Sequence, residues 1–206
     1  MNILGLGPHP DDLEFGAGGT LSKFARSGHD VYLMILTKGE YGGSAEVRET
    51  EQKEAAGIMG VKEVFWGGYK DTELNVDSDS IRTAEKVIKQ INPDIIFASY
   101  MEDTHQDHRA LSQIALSAAR NAKNLLLYET PTTGSCFKPC LFVDIDEVIK
   151  LKQRALMAHH SQVMKTNIED TSIVELAIAT SVFRGIQSRV KHAEGFVSVR
   201  FFLDTA

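Results

Sequence analysis

The chain has 206 residues, 22 of them basic and 28 acidic, with a net charge of −6, and is 43% hydrophobic and 24% charged. That balance excludes a disordered chain and offers no basic stripe for a phosphate backbone, so nucleic acid is not an expected partner. No run approaches the ~20 apolar residues that span a bilayer, the start lacks the basic flank of a secretory leader, and the expected setting is the cytoplasm. A globule of this length buries roughly 70% of its unfolded surface, so one domain over 1–206 needs no disulfide to hold its core.

Short apolar runs alternate with longer amphipathic ones along the chain. Strands are predicted at 2–6, 31–37, 63–66, 94–99, 124–128 and 141–145; the first five are near-continuous apolar runs, as in parallel strands covered on both faces. Helices are predicted between them. One covers 20–27, before Gly28, and one covers 46–59, before Gly60. Another covers 80–91, with Ile81, Ala84, Val87, Ile88 and Ile91 on one stripe ahead of Pro93. A fourth covers 109–122, carrying Leu111, Ile114, Ala115 and Ala118. Beyond 145 the pattern turns helical, at 147–160 and 173–190, and a last strand is predicted at 196–203. The order predicts an α/β fold: an open, mostly parallel sheet, helices on both faces, and a helical C-terminal part ending in a strand. Ligands of such sheets gather at the carboxyl ends of the strands, where the strand order reverses.

The turn after the first strand reads Gly7-Pro8-His9-Pro10-Asp11-Asp12-Leu13-Glu14. It lacks the G-x-G-x-x-G spacing of a dinucleotide site, and its carboxylates oppose a pyrophosphate. An imidazole among carboxylates suits a divalent cation; the plainer alternative is a turn in which Asp11 or Asp12 caps the following helix. After the fourth strand comes Tyr100-Met-Glu-Asp-Thr-His105-Gln-Asp107-His108. His105 and His108, three apart at a helix start, can share one face. Two His/Asp clusters flanking one crevice supply three metal ligands with carboxylates and a histidine to spare, and a catalytic zinc needs three ligands and one open position. Cys136 and Cys140 form a lone C-x3-C pair, too few ligands for a structural zinc, and read as reduced thiols.

The pairing of His9-Pro10-Asp11-Asp12, followed by Gly18-Gly19-Thr20, with His105-Gln106-Asp107-His108 resembles the LmbE-like/PIG-L family of zinc-dependent N-acetylglucosaminyl deacetylases. Supporting segments are 36–40, Arg48, 69–71, 158–162 and 193–196. The Gly7-Pro8 pair departs from the small residue usual before the histidine, and the short chain leaves no room for larger substrate-covering insertions. The resemblance implies a Rossmann-like sheet and one zinc per protomer held by His9, Asp12 and His108. It also implies Asp11 as general base and a protonated His105 that stabilises developing charge, its far nitrogen held by Asp107. Arg48 is expected to reach a substrate carboxylate or phosphate, and Asp71 to bind sugar hydroxyls. The alternatives to the first are a helix-surface charge and to the second a turn residue. The implied reaction removes acetyl from a small N-acetylated sugar or glycoconjugate. The rival readings are a zinc hydrolase of another small amide or ester, and a non-catalytic sugar- or zinc-binding protein. Homo-oligomerisation is left open. So are the roles of His159, His160, Arg184, Arg189 and His192.

Overall fold

A computed structural model of the chain describes residues 1–202. Seven strands form one sheet: β1 (Asn2–Gly7), β2 (Asp30–Thr37), β3 (Glu63–Tyr69), β4 (Ile95–Ser99), β5 (Leu125–Tyr128), β6 (Leu141–Asp144) and β7 (Ala193–Arg200). Their spatial order is β3-β2-β1-β4-β5-β7-β6. The first five run parallel, and β7 inserts antiparallel between β5 and β6. The predicted last strand at 196–203 is thus found at Ala193–Arg200, and Leu203 lies outside the described residues.

Alternation along the strands builds two cores, one on each face of the sheet. Leu4, Leu6, Met34, Leu36 and Ile96 meet Ala84, Val87 and Ile91 of α4 (Ser78–Ile91) and Leu111 and Ile114 of α5 (Gln106–Ala118). On the other face, Ile3, Val31, Leu33 and Phe97 meet α1 (Asp12–Gly16), α2 (Gly18–Arg26), α3 (Ala45–Met59) and α6 (Ile149–Ala158) through Leu13, Leu21, Ala55, Met59 and Ala155. The remaining helix, α7 (Ile173–Ser188), starts with a Ser172–Glu175 capping box. Among the described residues no helix is long and apolar enough to cross a membrane.

Helices α2, α3, α4 and α5 begin one to three residues earlier than their sequence signals, and the caps of α2 and α5 explain two of these starts. The helix predicted at 20–27 starts at Gly18, because the buried Glu194 carboxylate of β7 accepts from the N–H groups of Gly19 (2.8 Å) and Thr20 (2.7 Å). That cap comes from the far end of the chain. The helix predicted at 109–122 starts at Gln106, capped by the His105 imidazole, whose Nδ1 accepts from the Asp107 N–H at 3.2 Å. Histidine is not among the usual capping residues.

The chain steps outward from β1 to β2 and β3, then crosses back to place β4 against the other side of β1. The order reverses there, so the crevice opens beyond the carboxyl ends of β1 and β4.

Candidate metal centre

The turn after β1 and the loop before α5 face each other across this crevice. Pro8 anchors the turn: its carbonyl accepts from both the N–H and the hydroxyl of Thr37, each at 3.0 Å. Ser99, the last residue of β4, donates to the His108 carbonyl at 2.9 Å and pulls the first turn of α5 inward. His9, Asp12, Asp71, Asp103, Asp107 and His108 are all buried.

His9 and His108 are each held at both ring nitrogens. On the inner side His9 Nδ1 lies 3.1 Å from Asp12 Oδ2, and His108 Nε2 lies 3.3 Å from Asp12 Oδ1. On the outer side His9 Nε2 meets Asp71 Oδ1 at 3.0 Å and Asp107 Oδ2 at 3.1 Å, while His108 Nδ1 meets Asp103 Oδ2 at 3.1 Å. Two imidazoles converge on one carboxylate, each backed by other carboxylates. Metal-ligating histidines are oriented in this way.

The charges point the same way. Burial opposes the His108 imidazolium, but Asp12 and Asp103 outweigh it and raise its pKa to about 9. Burial also opposes the His9 cation, and Asp107, Asp12 and Asp71 hold its pKa well above the ordinary value. Burial alone would raise Asp12, yet His108 and His9 hold it far below the usual carboxylate range. Four buried carboxylates around two imidazoles need compensating positive charge, which either two protons or one divalent cation supplies. The N,N,O donor set of His9, His108 and Asp12 fits such a cation. The His105 ring is close enough to join: one nitrogen from each of His9, His105 and His108 lies within 4.8 Å of the other two.

Asp11 stands beside this cluster without a ring nitrogen on it. It adopts φ 94°, the left-handed region that non-glycine residues rarely occupy, and its side chain makes no capping bond to α1. The plainer capped-turn alternative therefore fails for Asp11. Arg48 of α3 grips the strained turn, with Nη2 donating to the Pro10 carbonyl (2.7 Å) and to Asp11 Oδ2 (3.2 Å) and Nη1 to the Gly39 carbonyl (2.7 Å). Burial pushes the Asp11 carboxyl up to about 6 against the pull of Arg48.

Two expectations, both about His105, need correction. Asp107 holds the far nitrogen of His105 through its backbone N–H and not its carboxylate, which meets His9 Nε2 and accepts from the Thr72 N–H (2.7 Å), because α5 starts early and turns this side chain toward β1. His105 is not held protonated: its Nδ1 already accepts from the Asp107 N–H, and burial together with the His9 and His108 cations lowers its pKa. Both effects favour the neutral imidazole with its proton on Nε2. Arg48 and Asp71 both border the cleft; Arg48 uses Nη1 and Nη2 as above while its Nε has no hydrogen-bond partner, and Asp71 meets His9 and the Tyr41 N–H (3.0 Å). Asp103 escaped the sequence reading. Its signal was an acidic residue five before His108 in the same loop.

Two of the residues left open have hydrogen-bond partners outside this cluster. Arg184 forms a two-pronged pair with Glu129, both contacts at 2.6 Å, whereas His159 is buried 3.6 Å from Glu14 with neither ring nitrogen hydrogen-bonded. His192 Nδ1 meets the Ser181 hydroxyl at 3.1 Å, and Arg189 ends α7 in the left-handed region.

The centre lies in a cleft of about 850 Å³, open toward the segment between α6 and α7. A protected divalent cation next to an unligated carboxylate and a neutral imidazole donor can activate water against an acyl group.

A family model described as PIG-L, GlcNAc-PI de-N-acetylase, matches residues 4–119. The chain is 33% identical over 167 residues to the uncharacterized deacetylase YaiS of Escherichia coli (strain K12), covering 77% of this chain and 90% of that protein. It is 32% identical over 185 residues to the diacetylchitobiose deacetylase of Thermococcus kodakarensis, covering 78% and 69% respectively. Among solved structures it resembles the N,N'-diacetylchitobiose deacetylase of Pyrococcus horikoshii, with a TM-score of 0.85 at 26% identity over 96% of this chain and 83% of that one. The chain therefore belongs to the PIG-L (LmbE-like) family.

Proposed function

We propose that this chain is a zinc-dependent deacetylase of the cytoplasm, one domain over 1–206. In this reading it hydrolyses the acetamide of an N-acetylglucosamine-type sugar or conjugate to acetate and a free amine. The observation that carries the reading is the convergence of His9 Nδ1 and His108 Nε2 on Asp12 beside an uncoordinated, strained Asp11. The family relatives that act on diacetylchitobiose support the substrate class. His9, Asp12 and His108 would hold the zinc, with His105 in reserve.

When bound, zinc supplies Lewis acidity, polarising the amide carbonyl and lowering the pKa of water toward ~7. The protein groups do the rest. Asp11, kept in place by Arg48, takes a proton from the attacking water as its oxygen bonds to the acetyl carbon. His105 Nε2–H donates to the carbonyl oxygen as negative charge develops there. Asp11 then passes its proton to the nitrogen as the C–N bond breaks, so that the amine leaves neutral. Asp71 and Asp107 behind His9, and Asp103 behind His108, keep the ligand rings aimed.

The test couples zinc content with acetate release. The purified protein should carry about one zinc per chain and release acetate from N-acetylglucosamine derivatives. Single Ala replacements of His9, Asp12 and His108 should each lower zinc content. Asp11→Asn should keep its zinc and lose ~10²–10⁴-fold in turnover. Full zinc in all three ligand variants, or near-parental turnover in Asp11→Asn, would sink the assignment.

A further inference from the structure

Next to the metal centre lies a second group of buried polar side chains that does not border the cleft: Glu14 of α1, Gln52 of α3 and His159 at the end of α6. Glu14 Oε1 accepts from Gln52 Nε2 at 2.6 Å, and Oε2 lies 3.6 Å from His159 Nε2. A carboxylate taken wholly out of water is costly unless a cation faces it. Among the described residues, His159 is the one basic side chain paired with this carboxylate. Glu14 Oε2 and both ring nitrogens of His159 have no hydrogen-bond partner, so charge joins the two. Burial opposes the His159 cation, but Glu14, with Asp11 adding to it, outweighs burial and Arg48 and raises its pKa above 6.5.

This pair bears on Asp11 through α1. The helix is five residues long, too short to hold its own shape, and it starts directly after the strained Asp11. Its first backbone bond runs from the Phe15 N–H to the Asp11 carbonyl at 3.0 Å, so α1 and the Asp11 backbone move together. Two side chains one turn apart on α3 hold this unit: Arg48 grips Pro10 and Asp11, and Gln52 grips Glu14. His159 supplies a third point, from α6. Its backbone is fixed independently of its ring. The Gln162 N–H donates to the His159 carbonyl at 2.8 Å, and the N–H and hydroxyl of Ser161 both donate to Glu51 of α3 at 2.7 Å. The Asp12 carboxylate is held by the His9 N–H (3.1 Å) and two imidazoles. The Asp11 carboxylate, among the described residues, has Arg48 alone. A displaced α1 is therefore felt most at Asp11.

We propose that His159 is a positioning residue for Asp11: as the counter-charge to Glu14, it fixes α1 and with it the turn that presents the Asp11 carboxylate. The inference rests on the deacetylase reading, in which Asp11 moves the proton.

The zinc-loaded protein tests it. His159→Phe keeps a ring in place, removes the cation and leaves the Glu14 charge without a partner. This variant should retain about one zinc per chain and a KM within about twofold of the parent. Its kcat per bound zinc should fall ~10–10²-fold, the size of a misplacement of about 1 Å at a reacting group. Adding Glu14→Gln removes the stranded charge, keeps the Gln52 bond and should recover most of that loss. A ring that merely fills space would show neither the loss nor the recovery. Where His159→Phe alone fails to fold, the double variant should fold and turn over close to the parental rate; its own failure to fold would overturn the pairing. NMR titration of the His159 ring gives a readout free of turnover: the parental midpoint should lie above 6.5 and drop in Glu14→Gln. An unchanged kcat in His159→Phe, a double variant no better than the single one, or a midpoint at or below 6.5 would overturn the proposal. An inactive parent would instead overturn the deacetylase reading on which the role rests, a result distinct from an active parent whose turnover is indifferent to His159.

Discussion

Replacing Asp103 by Asn preserves the shape of a buried side chain and removes the charge behind His108. Asp103 Oδ2 faces three donors: His108 Nδ1 (3.1 Å) and the hydroxyls of Thr130 (2.9 Å) and Thr133 (3.0 Å). Oδ1 accepts from the His105 N–H at 2.8 Å. An Asn amide cannot serve both sides. With its NH₂ toward His108 it sets donor against donor there; flipped, it opposes the His105 N–H that shapes the start of α5. Outer carboxylate replacements of this kind cost about 10–100-fold in metal affinity, or about 1.4–2.7 kcal/mol at ~1.36 kcal/mol per tenfold. The donor conflict in either orientation places Asp103→Asn toward the upper end. Zinc competition against a calibrated chelator at neutral pH, well below the unfolding temperature, measures the loss directly. An affinity within about twofold of the parent, well short of that range, would show that Asp103 does not aim His108 at a metal.

Other consequences can be checked alongside. If His105 acts as a neutral donor, His105→Ala should keep zinc and lose ~10²–10³-fold in turnover, whereas His105→Gln, which retains an N–H donor, should lose less; equal losses would contradict the role. In metal-free protein Asp12 and Asp103, outweighing burial, raise the His108 pKa from 6.5 to about 9. The stability this provides is complete below pH 6.5 and is lost as pH rises through about 9, up to roughly 3 kcal/mol. The melting temperature should therefore fall over that window in chelator and fall less with zinc, which requires unprotonated imidazole; parallel profiles would refute the shared site. In Gly16→Ala the new Cβ would sit 2.2 Å from Tyr128 Cδ2 and 2.7 Å from the Glu129 carbonyl. Tyr128 is fully buried with its hydroxyl on the Leu6 carbonyl at 2.9 Å, so it cannot easily yield. The substitution should cost about 1–3 kcal/mol in urea unfolding, and an unchanged midpoint would contradict that packing.

The strands and helices of the sheet were legible in the amino-acid order because they are local and repetitive. The apolar runs of β1, β2, β4 and β5 and the stripe of α4 each signal their own geometry within a dozen residues. So did the two His/Asp clusters, since their donor types sit close together in sequence and the βα order brings them to one crevice. What stayed hidden depends on partners distant in the chain. The start of α2 is decided by Glu194, about 175 residues later, and the hold on His9 by Asp71 and Asp107 from two other loops. β7 slips between β5 and β6, a placement that no local pattern of 193–200 announces. The carbonyls of Gly39 and Pro10 that Arg48 Nη1 and Nη2 meet leave no record in the sequence around it. The residue types alone determined which groups could bind a metal. Which nitrogen faces inward, which carboxylate stands behind it and which imidazole stays neutral were decided by burial. In a low-dielectric interior each polar atom must find its partner, and those partners are assembled only by the tertiary fold.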